Sequence, residues 1–181
     1  MHEPVQRLHW GCGSSAQPGW INADVRRLPG VNLVCDIRQG LTLPESSVAY
    51  AVSVHALQEI PLADIVPALA ELRRVLTPGG VLRLCVPDLN KGIAAYQRGD
   101  RDYFLVPDHD SNTLGGKFVT HMLWYSYSRV MFTSDFIEEL LLKAGFTRVN
   151  HCAFKSTSSS WPDITQLDNR EHESLFVEAV K

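Results

Sequence analysis

The stretch LHWGCGSSAQPGWINAD, residues 8–24, decides the fold. An apolar run, predicted as a first strand over Val5–Trp10, passes directly into Gly11-Cys12-Gly13, and a second predicted strand, Trp20–Asp24, ends in a carboxylate. Glycines at the end of a strand let the backbone turn sharply and approach a ligand closely. In open α/β sheets the ligand crevice lies beyond the carboxyl ends of the strands. The stretch therefore predicts a ligand-contacting turn beside the end of a second strand.

Strands and helices alternate along the rest of the chain. Apolar runs predict further strands over Val31–Cys35, Val48–Val54, Val81–Val86, Phe146–Phe154 and Ser174–Val180. Apolar residues at spacings of three and four predict one helix that begins near residue 64 and ends before Thr77-Pro78-Gly79-Gly80, and another from Thr133 or Ser134 to Ala144. This alternation is typical of parallel strands joined by crossover helices.

The length of 181 residues fits a single domain, 1–181. Between residues 89 and 132 the periodic pattern loosens, and the segment is rich in Tyr, His, Asp and Gly. A long irregular stretch inside a compact domain is unusual and often functional. We expect this segment to be an insertion that folds over the strand ends as a lid and contacts the substrate.

Composition narrows the class of protein. The chain is 45% hydrophobic and 20% charged with a net charge of −3, as in globular proteins, and it has no dense basic patch of the kind that binds nucleic acid. No apolar run approaches the ~20 residues of a membrane span, and no leader is evident at Met1–Leu8, so we expect a cytoplasmic protein. Four scattered cysteines predict isolated thiols rather than a metal cluster or disulfides: Cys12, Cys35, Cys85 and Cys152.

Acidic residues end two of the predicted strands. Asp24 ends the second strand, where a carboxylate can accept hydrogen bonds from both hydroxyls of a ribose. Asp36 follows the third strand and can pair with an exocyclic amine while Ile37 packs on a flat base. Each acid alone is as well explained by a cap or turn role. A glycine turn and two acids at three successive strand ends together predict an adenosine site.

These motifs resemble a family. The opening resembles that of class I S-adenosylmethionine (SAM)-dependent methyltransferases, above all a small branch with G-C-G followed closely by P-G-W-I-N-x-D. The resemblance continues through LVCDI (33–37), SVAYAVSVHALQEIP (47–61), ELRRVLTPGGVLRLCVPDL (71–89), LLLKAGFTRV (140–149) and ESLFVEAVK (173–181). It implies an α/β fold, a Rossmann-like doubly wound sheet of about seven strands, mostly parallel with the last strand antiparallel. It also implies SAM as cofactor, S-adenosylhomocysteine as product and methyl transfer to a small-molecule acceptor.

The resemblance assigns roles to individual residues. Asp24 would hold the ribose, and Asp36 with Ile37 would hold adenine. The residues placed around the methionine moiety are Trp10, Gly11, Cys12, Gly13, Ser53 and Val54, with His55 facing the acceptor.

Three departures from the family pattern stand out. His9 occupies the position, two residues before the first glycine, where many relatives have an acid. Gln58-Glu59 replaces a family acid–imidazole pair after the fourth strand. Only residues 14–19 separate the glycine turn from the second strand, so the usual helix is absent or reduced to a turn.

Without that helix, one sheet face should be thinly covered, unless a loop, the lid or a second subunit covers it. We therefore predict a homodimer.

Histidines and tyrosines are the candidate catalytic groups. A methyltransferase mainly aligns its substrates, but an oxygen or nitrogen nucleophile can require a general base, usually histidine. His55 and His121 are the first candidates, with Tyr125 as an orienting group, ahead of His109 and Tyr127. The cluster Asp108-His109-Asp110 has ligand types that suit Zn²⁺ or Fe²⁺, but its spacing favours a solvated loop, and no metal site is predicted.

Two other functions stay open from the sequence. His9 and Gln58-Glu59 are compatible with a SAM-binding protein that has lost catalysis and serves as a partner or regulatory subunit. A nucleotide-dependent oxidoreductase is the other alternative. It requires G-x-G-x-x-G at the start of a helix, whereas this chain offers G-C-G-S-S-A-Q-P-G.

Overall fold

The computed structural model describes residues 6–181, which form a seven-stranded sheet in the order β3-β2-β1-β4-β5-β7-β6. The strands are β1 Arg7–Trp10, β2 Ile21–Asp24, β3 Leu33–Val34, β4 Val48–Val54, β5 Leu76–Pro87, β6 Arg148–Cys152 and β7 Ser174–Val180. The α-helices are α1 Leu62–Val75, α2 Leu89–Gln97, α3 Leu114–Leu123 and α4 Ser134–Lys143. Short 3-10 turns cover Ile37–Gln39, Leu57–Glu59 and Pro162–Thr165. The predicted first strand is confirmed from Arg7 onward, and its Val5 lies outside the described residues.

Strand directions confirm the predicted Rossmann-like sheet. Strands β1 to β5 are parallel to one another, and β7 is antiparallel to both β5 and β6. The carboxyl ends of β1 to β5 therefore lie at one edge. The antiparallel register pairs Pro87 with Ser174, so β7 begins at that same edge. Residues just before β7 can thus reach a ligand at the strand ends.

Several element bounds differ from the predicted ones. β3 is only two residues long, because Asp36 caps a 3-10 turn immediately after it. The first helix begins at Leu62 instead of residue 64, which leaves Pro67 inside the helix rather than in its first turn. Strands β4 and β7 have the predicted bounds.

The prediction of an irregular segment over residues 89–132 was wrong, because the segment contains α2 and α3. Asp88 caps α2 by accepting from the Asn90 N–H, and Thr113 caps α3 by accepting from the Gly116 N–H. The two helices pack closely, since a Cβ added at Gly92 would lie 2.5 Å from the sulfur of Met122. Glycines within both helices weaken the apolar periodicity, which is why the pattern alone did not reveal them.

The first face of the sheet carries helices α1 and α4. Alternate residues of β4, β5 and β7 point to this face, and the helices bury their apolar stripes against them. The core on this face includes Leu8, Ala51, Leu69, Leu72, Leu82, Leu84, Ile137, Leu141, Val177 and Ala179. Within residues 6–181, none of the helices is long and apolar enough to cross a membrane.

The second face is covered by the chain between β6 and β7, residues 153–173, which we call the β6–β7 segment. As predicted, residues 14–19 form no helix in the structure. The β6–β7 segment takes the place of that helix. Its residue Ile164, together with Trp161 and Leu167, packs against a second hydrophobic core that consists of Trp20, Tyr50, Val52 and Val81. The aromatic rings of Tyr50 and Trp161 lie 5.5 Å apart.

A buried arginine fastens this segment to the sheet. Arg83 of β5 has 0% exposure and donates from Nε and Nη2 to both carboxylate oxygens of Asp168, at 2.7 and 2.5 Å. Its Nη1 pairs with Glu178 of β7 at 2.8 Å and donates to the Ser156 carbonyl at 3.0 Å. Asp168 also accepts from the Lys155 N–H at 2.8 Å. The two ends of the segment are thus held against the sheet by one guanidinium.

The chain itself covers the face that was expected to be thinly covered. The β6–β7 segment is one of the covers considered above, and it removes the reason for predicting a homodimer. The thiols agree with the prediction: Cys12 and Cys85 are buried, Cys35 and Cys152 are half-buried, and all four are free.

We predict that Arg83→Met destabilises the protein by about 3–5 kcal/mol, because Asp168 and Glu178 would remain buried without a counter-charge. The matched control is Arg98→Met, which removes an exposed pair with Asp100 at 3.6 Å and should cost less than about 1 kcal/mol. Urea unfolding of both variants measures the difference. Equal losses would contradict a central role for the buried ion pairs.

Candidate cofactor site

A cavity of about 650 Å³ opens at the carboxyl edge of the sheet, within the size range of small-molecule sites. Its wall is built from the turn after β1, the ends of β2, β3 and β4, and Gln166–Arg170 of the β6–β7 segment. Of the residues predicted from the sequence, it brings together Trp10, Gly11, Cys12, Gly13, Asp24, Asp36, Ile37, Val54 and His55.

The turn after β1 has room only for glycine at its first position. Gly11 has a φ of +67° and Gly13 a φ of +52°. The N–H groups of Gly11 and Cys12 both donate to the Ala23 carbonyl, at 2.8 and 3.1 Å. A Cβ added at Gly11 would lie 2.2 Å from the Cβ of Ala56. The turn therefore packs directly against the residues that follow β4 and leaves its backbone facing the cavity.

Asp24 links the end of β2 to this turn. Its side chain is 6% exposed, and Oδ2 accepts from the Gly13 N–H at 2.8 Å. Oδ1 accepts from the backbone N–H of Arg26 at 2.9 Å and from Arg26 Nε at 3.3 Å. The carboxylate is thus held rigidly in the cavity wall, next to the glycine turn.

Asp36 and Ile37 stand at the end of β3. Asp36 accepts from the Arg38 N–H at 3.0 Å and forms an ion pair with its guanidinium at 2.6 Å. The hydrogen bonds from Arg38 lower the pKa of Asp36 below its usual value. Ile37 is buried and contributes an apolar surface to the same wall. The pair presents a carboxylate beside an aliphatic side chain.

His55 follows β4 and takes a left-handed backbone conformation with a φ of +50°. Its Nε2 lies 2.7 Å from the Ser174 hydroxyl at the start of β7. Burial, assisted by the charge of Arg170, lowers the pKa of His55 to about 4, so the imidazole is neutral at pH 7. Ser53, another residue predicted for the site, is 1% exposed and is not part of the cavity wall; its hydroxyl has no hydrogen-bond partner in the described part of the chain.

The structure places His121 and Tyr125 outside the cavity wall. His121 is buried; its Nδ1 accepts from the Leu105 N–H at 3.1 Å, so Nε2 carries the proton and donates to Glu173 at 3.1 Å. Both ring nitrogens are therefore engaged in joining α3 to the residues before β7. Tyr125 is exposed and donates its hydroxyl to Asp110 at 2.5 Å.

The other candidates also lie apart from the cavity. His109 is exposed and has Asp110 at 3.5 Å, and Tyr127 is 66% exposed. Residues 6–181 contain no cluster of three or more His, Cys, Asp or Glu side chains placed to hold a metal ion.

Three parts of the wall were not assigned from the sequence. His9 is 3% exposed, burial lowers its pKa to about 4, and its Nδ1 has no partner among the described residues. Glu59 and Arg129 contribute charged side chains. Gln166–Arg170 arrive from the β6–β7 segment. His9 was signalled by its position before the glycine turn, whereas the β6–β7 segment and Arg129 carry no local motif.

We predict that Gly11→Ala costs about 1–3 kcal/mol more stability than Gly99→Ala. Both glycines have similar positive φ values, +67° and +71°, so the backbone strain is matched. Only at Gly11 does the new Cβ meet another atom, because nothing lies within 4 Å of the position at Gly99. Thermal and urea unfolding of both variants measure the difference, and equal destabilisation would show that the turn does not pack as described.

Comparisons with known proteins find a family model and solved structures of methyltransferases that match this chain. Residues 12–84 match the family model of the methyltransferase domain. A SAM-dependent methyltransferase from Thermotoga maritima matches 100% of this chain and 84% of its own, with 19% identity and a TM-score of 0.61. A SAM-dependent methyltransferase from Archaeoglobus fulgidus matches 98% of this chain and 86% of its own, with 11% identity and a TM-score of 0.62. No curated protein matches significantly.

A further solved structure shows a bound product. The 1,6-didemethyltoxoflavin-N1-methyltransferase of Burkholderia thailandensis, which holds S-adenosylhomocysteine, matches 99% of this chain and 72% of its own, with 14% identity and a TM-score of 0.57. At such low identities the structural matches show the shared fold alone. The family match begins just after Gly11 and covers the rest of the glycine turn, Asp24 and Asp36. Together, these findings give a methyltransferase-domain match over residues 12–84 and a fold shared with SAM-dependent methyltransferases over nearly the whole chain, and they support SAM as the cofactor.

Proposed function

We propose that the chain transfers a methyl group from SAM to a small-molecule acceptor bound in the cavity described above. The observation that carries the proposal is that the glycine turn, Asp24, Asp36 and His55 share one cavity wall. A pocket of about 650 Å³ suits small molecules, and the net charge of −3 does not favour a nucleic-acid substrate.

The cofactor half of the cavity is formed by the turn after β1 and the ends of β2 and β3. In our proposal Asp24 accepts hydrogen bonds from the ribose, Asp36 accepts one from the adenine amine, and Ile37 packs on the adenine ring. Trp10 and the turn Gly11-Cys12-Gly13 border the methionine moiety. The close approach enforced at Gly11 and the buried, unpartnered hydroxyl of Ser53 support this placement.

Bound SAM supplies an electrophilic methyl group, so the protein has to position the acceptor and exclude water. Val54 and His55 border the cavity where β4 ends. Because His55 is neutral and its Nε2 is hydrogen-bonded to Ser174, we propose that it orients the acceptor. His121 and Tyr125, the other catalytic candidates, support the α2–α3 region from outside the wall.

The structure argues against an oxidoreductase but is compatible with a non-catalytic SAM-binding protein. An oxidoreductase requires a helix N-terminus at the dinucleotide pyrophosphate, and residues 14–19 form no helix in the structure. A non-catalytic SAM-binding protein would share the cofactor half of the cavity with an enzyme. Mass-spectrometric detection of a methylated acceptor would exclude that alternative.

We predict that Asp24→Asn weakens S-adenosylhomocysteine binding roughly 10- to 100-fold, because a carboxylate that accepts ribose hydrogen bonds is lost. Titration calorimetry on folded protein measures this, with the exposed Asp102→Asn as a control of equal charge change. Unchanged affinity in Asp24→Asn would contradict the role of Asp24. Absence of binding to the wild type would contradict the proposed function itself.

A further inference from the structure

Four arginines line the cavity, and they fall into two pairs. Arg26 and Arg38 each bind the aspartate two residues earlier in the chain, so their charges are matched locally. The other two, Arg129 and Arg170, lie on segments that are linked to the surroundings of His55.

Arg129 has an unmatched charge. Its guanidinium has no ion pair and no hydrogen bond with other side chains in residues 6–181, although it belongs to the cavity wall. The side chain is exposed, but the backbone is fixed, because its N–H donates to the Gln58 carbonyl at 2.7 Å. Gln58 in turn donates from Nε2 to the carbonyl of His55 at 2.7 Å. Arg129 is therefore anchored to the turn that carries His55.

Arg170 is held near His55 by the residues that precede β7. Its Nη1 pairs with Glu173 at 3.0 Å, and the next residue, Ser174, binds His55 Nε2 at 2.7 Å. Burial alone would raise the pKa of Glu173, but hydrogen bonds from His121 and Arg170 lower it to about 2, so this carboxylate stays charged and keeps Arg170 in place.

The backbone of this region is strained where it meets the cavity. His55 and Arg170 have φ values of +50° and +58°, a conformation that non-glycine residues rarely adopt. Such residues persist where the surrounding structure holds them, often at ligand sites.

Carboxylates also line the cavity. Asp24 and Asp36 belong to the proposed cofactor half, where each is paired with an arginine, and Glu59 is a further carboxylate of the wall. Arg129 is thus the arginine of the cavity wall without a paired carboxylate in the described part of the chain, and Arg170 lies close enough to His55 for its charge to act on the imidazole.

We propose that the methyl acceptor is a carboxylate, held by Arg129 and Arg170 next to His55. This inference rests on the proposed function and names its substrate class. A carboxylate oxygen donates an electron pair to the methyl carbon, and the methyl–sulfur bond breaks with its electron pair kept by sulfur. The products are a methyl ester and S-adenosylhomocysteine, and no proton is transferred.

The protonation chemistry of the site fits this acceptor. His55, with a pKa of about 4, is too weak a base to deprotonate an alcohol or an ammonium ion at neutral pH. A carboxylate is already ionised and needs no base. Two guanidinium groups neutralise its charge and orient its two oxygens.

Binding of a simple probe tests the proposal. Protein saturated with S-adenosylhomocysteine is titrated with benzoate and with benzamide, a neutral molecule of nearly the same shape. We expect benzoate to bind at least about tenfold more tightly than benzamide, and Arg129→Gln to remove that preference. The control is Arg148→Gln, the same charge change at an exposed residue of β6 that is not part of the cavity wall; the preference should remain.

Arg170 is tested with two variants, since its loss also affects Glu173. Arg170→Lys keeps the charge and should retain part of the preference, whereas Arg170→Gln should abolish it, with thermal unfolding to show that each variant is folded. Equal affinity of the wild type for benzoate and benzamide would overturn the proposal. So would a fall of about tenfold or more in S-adenosylhomocysteine affinity in Arg129→Gln, because that result would assign the arginine to the cofactor. Failure of the wild type to bind S-adenosylhomocysteine would instead refute the proposed function.

Discussion

The ion pairs of Arg83 with Asp168 and Glu178 are the interaction on which the rest of the structure depends. A parallel sheet needs cover on both faces, and this chain has no helix between β1 and β2 in the described residues. The β6–β7 segment provides the cover, but it is mostly irregular and buries only a small apolar cluster. A guanidinium with both carboxylates fully buried has no solvent to replace a lost partner, so the segment has one position on the sheet.

That position also completes the ligand cavity. Gln166–Arg170, next to the anchored Asp168, form one wall, and the short link from Arg170 to Ser174 brings a charged side chain and a hydroxyl to His55. His121 of α3 binds Glu173, and the next residue, Ser174, binds His55. These contacts connect the α2–α3 region, the start of β7 and the turn after β4. The connection between β1 and β2 contains no helix. The long β6–β7 segment covers the sheet face in its place and also contributes to the cavity wall.

The parts of the fold that local pattern encodes were predictable. Strand bounds for β4 and β7 followed from apolar runs, and the glycine turn, Asp24 and Asp36 followed from residue types at strand ends. Features that depend on distant contacts were not. Arg83 meets Asp168 across 85 positions of sequence, and Arg129 carries no motif that marks it as part of the wall. His121 looked catalytic because histidine is the common base, yet burial against Glu173 and the Leu105 N–H, contacts invisible in the sequence, gives it a structural position.

The claim that the β6–β7 segment is part of the ligand site can be measured directly by amide hydrogen exchange with and without S-adenosylhomocysteine. The account predicts that the product slows exchange in two separate peptides, one over Trp10–Ser15 and one over Gln166–Arg170, while exposed amides near Gly99 are unaffected. Protection confined to Trp10–Ser15, with Gln166–Arg170 exchanging at the same rate in both states, would contradict it. The segment would then cover the sheet without contributing to the site.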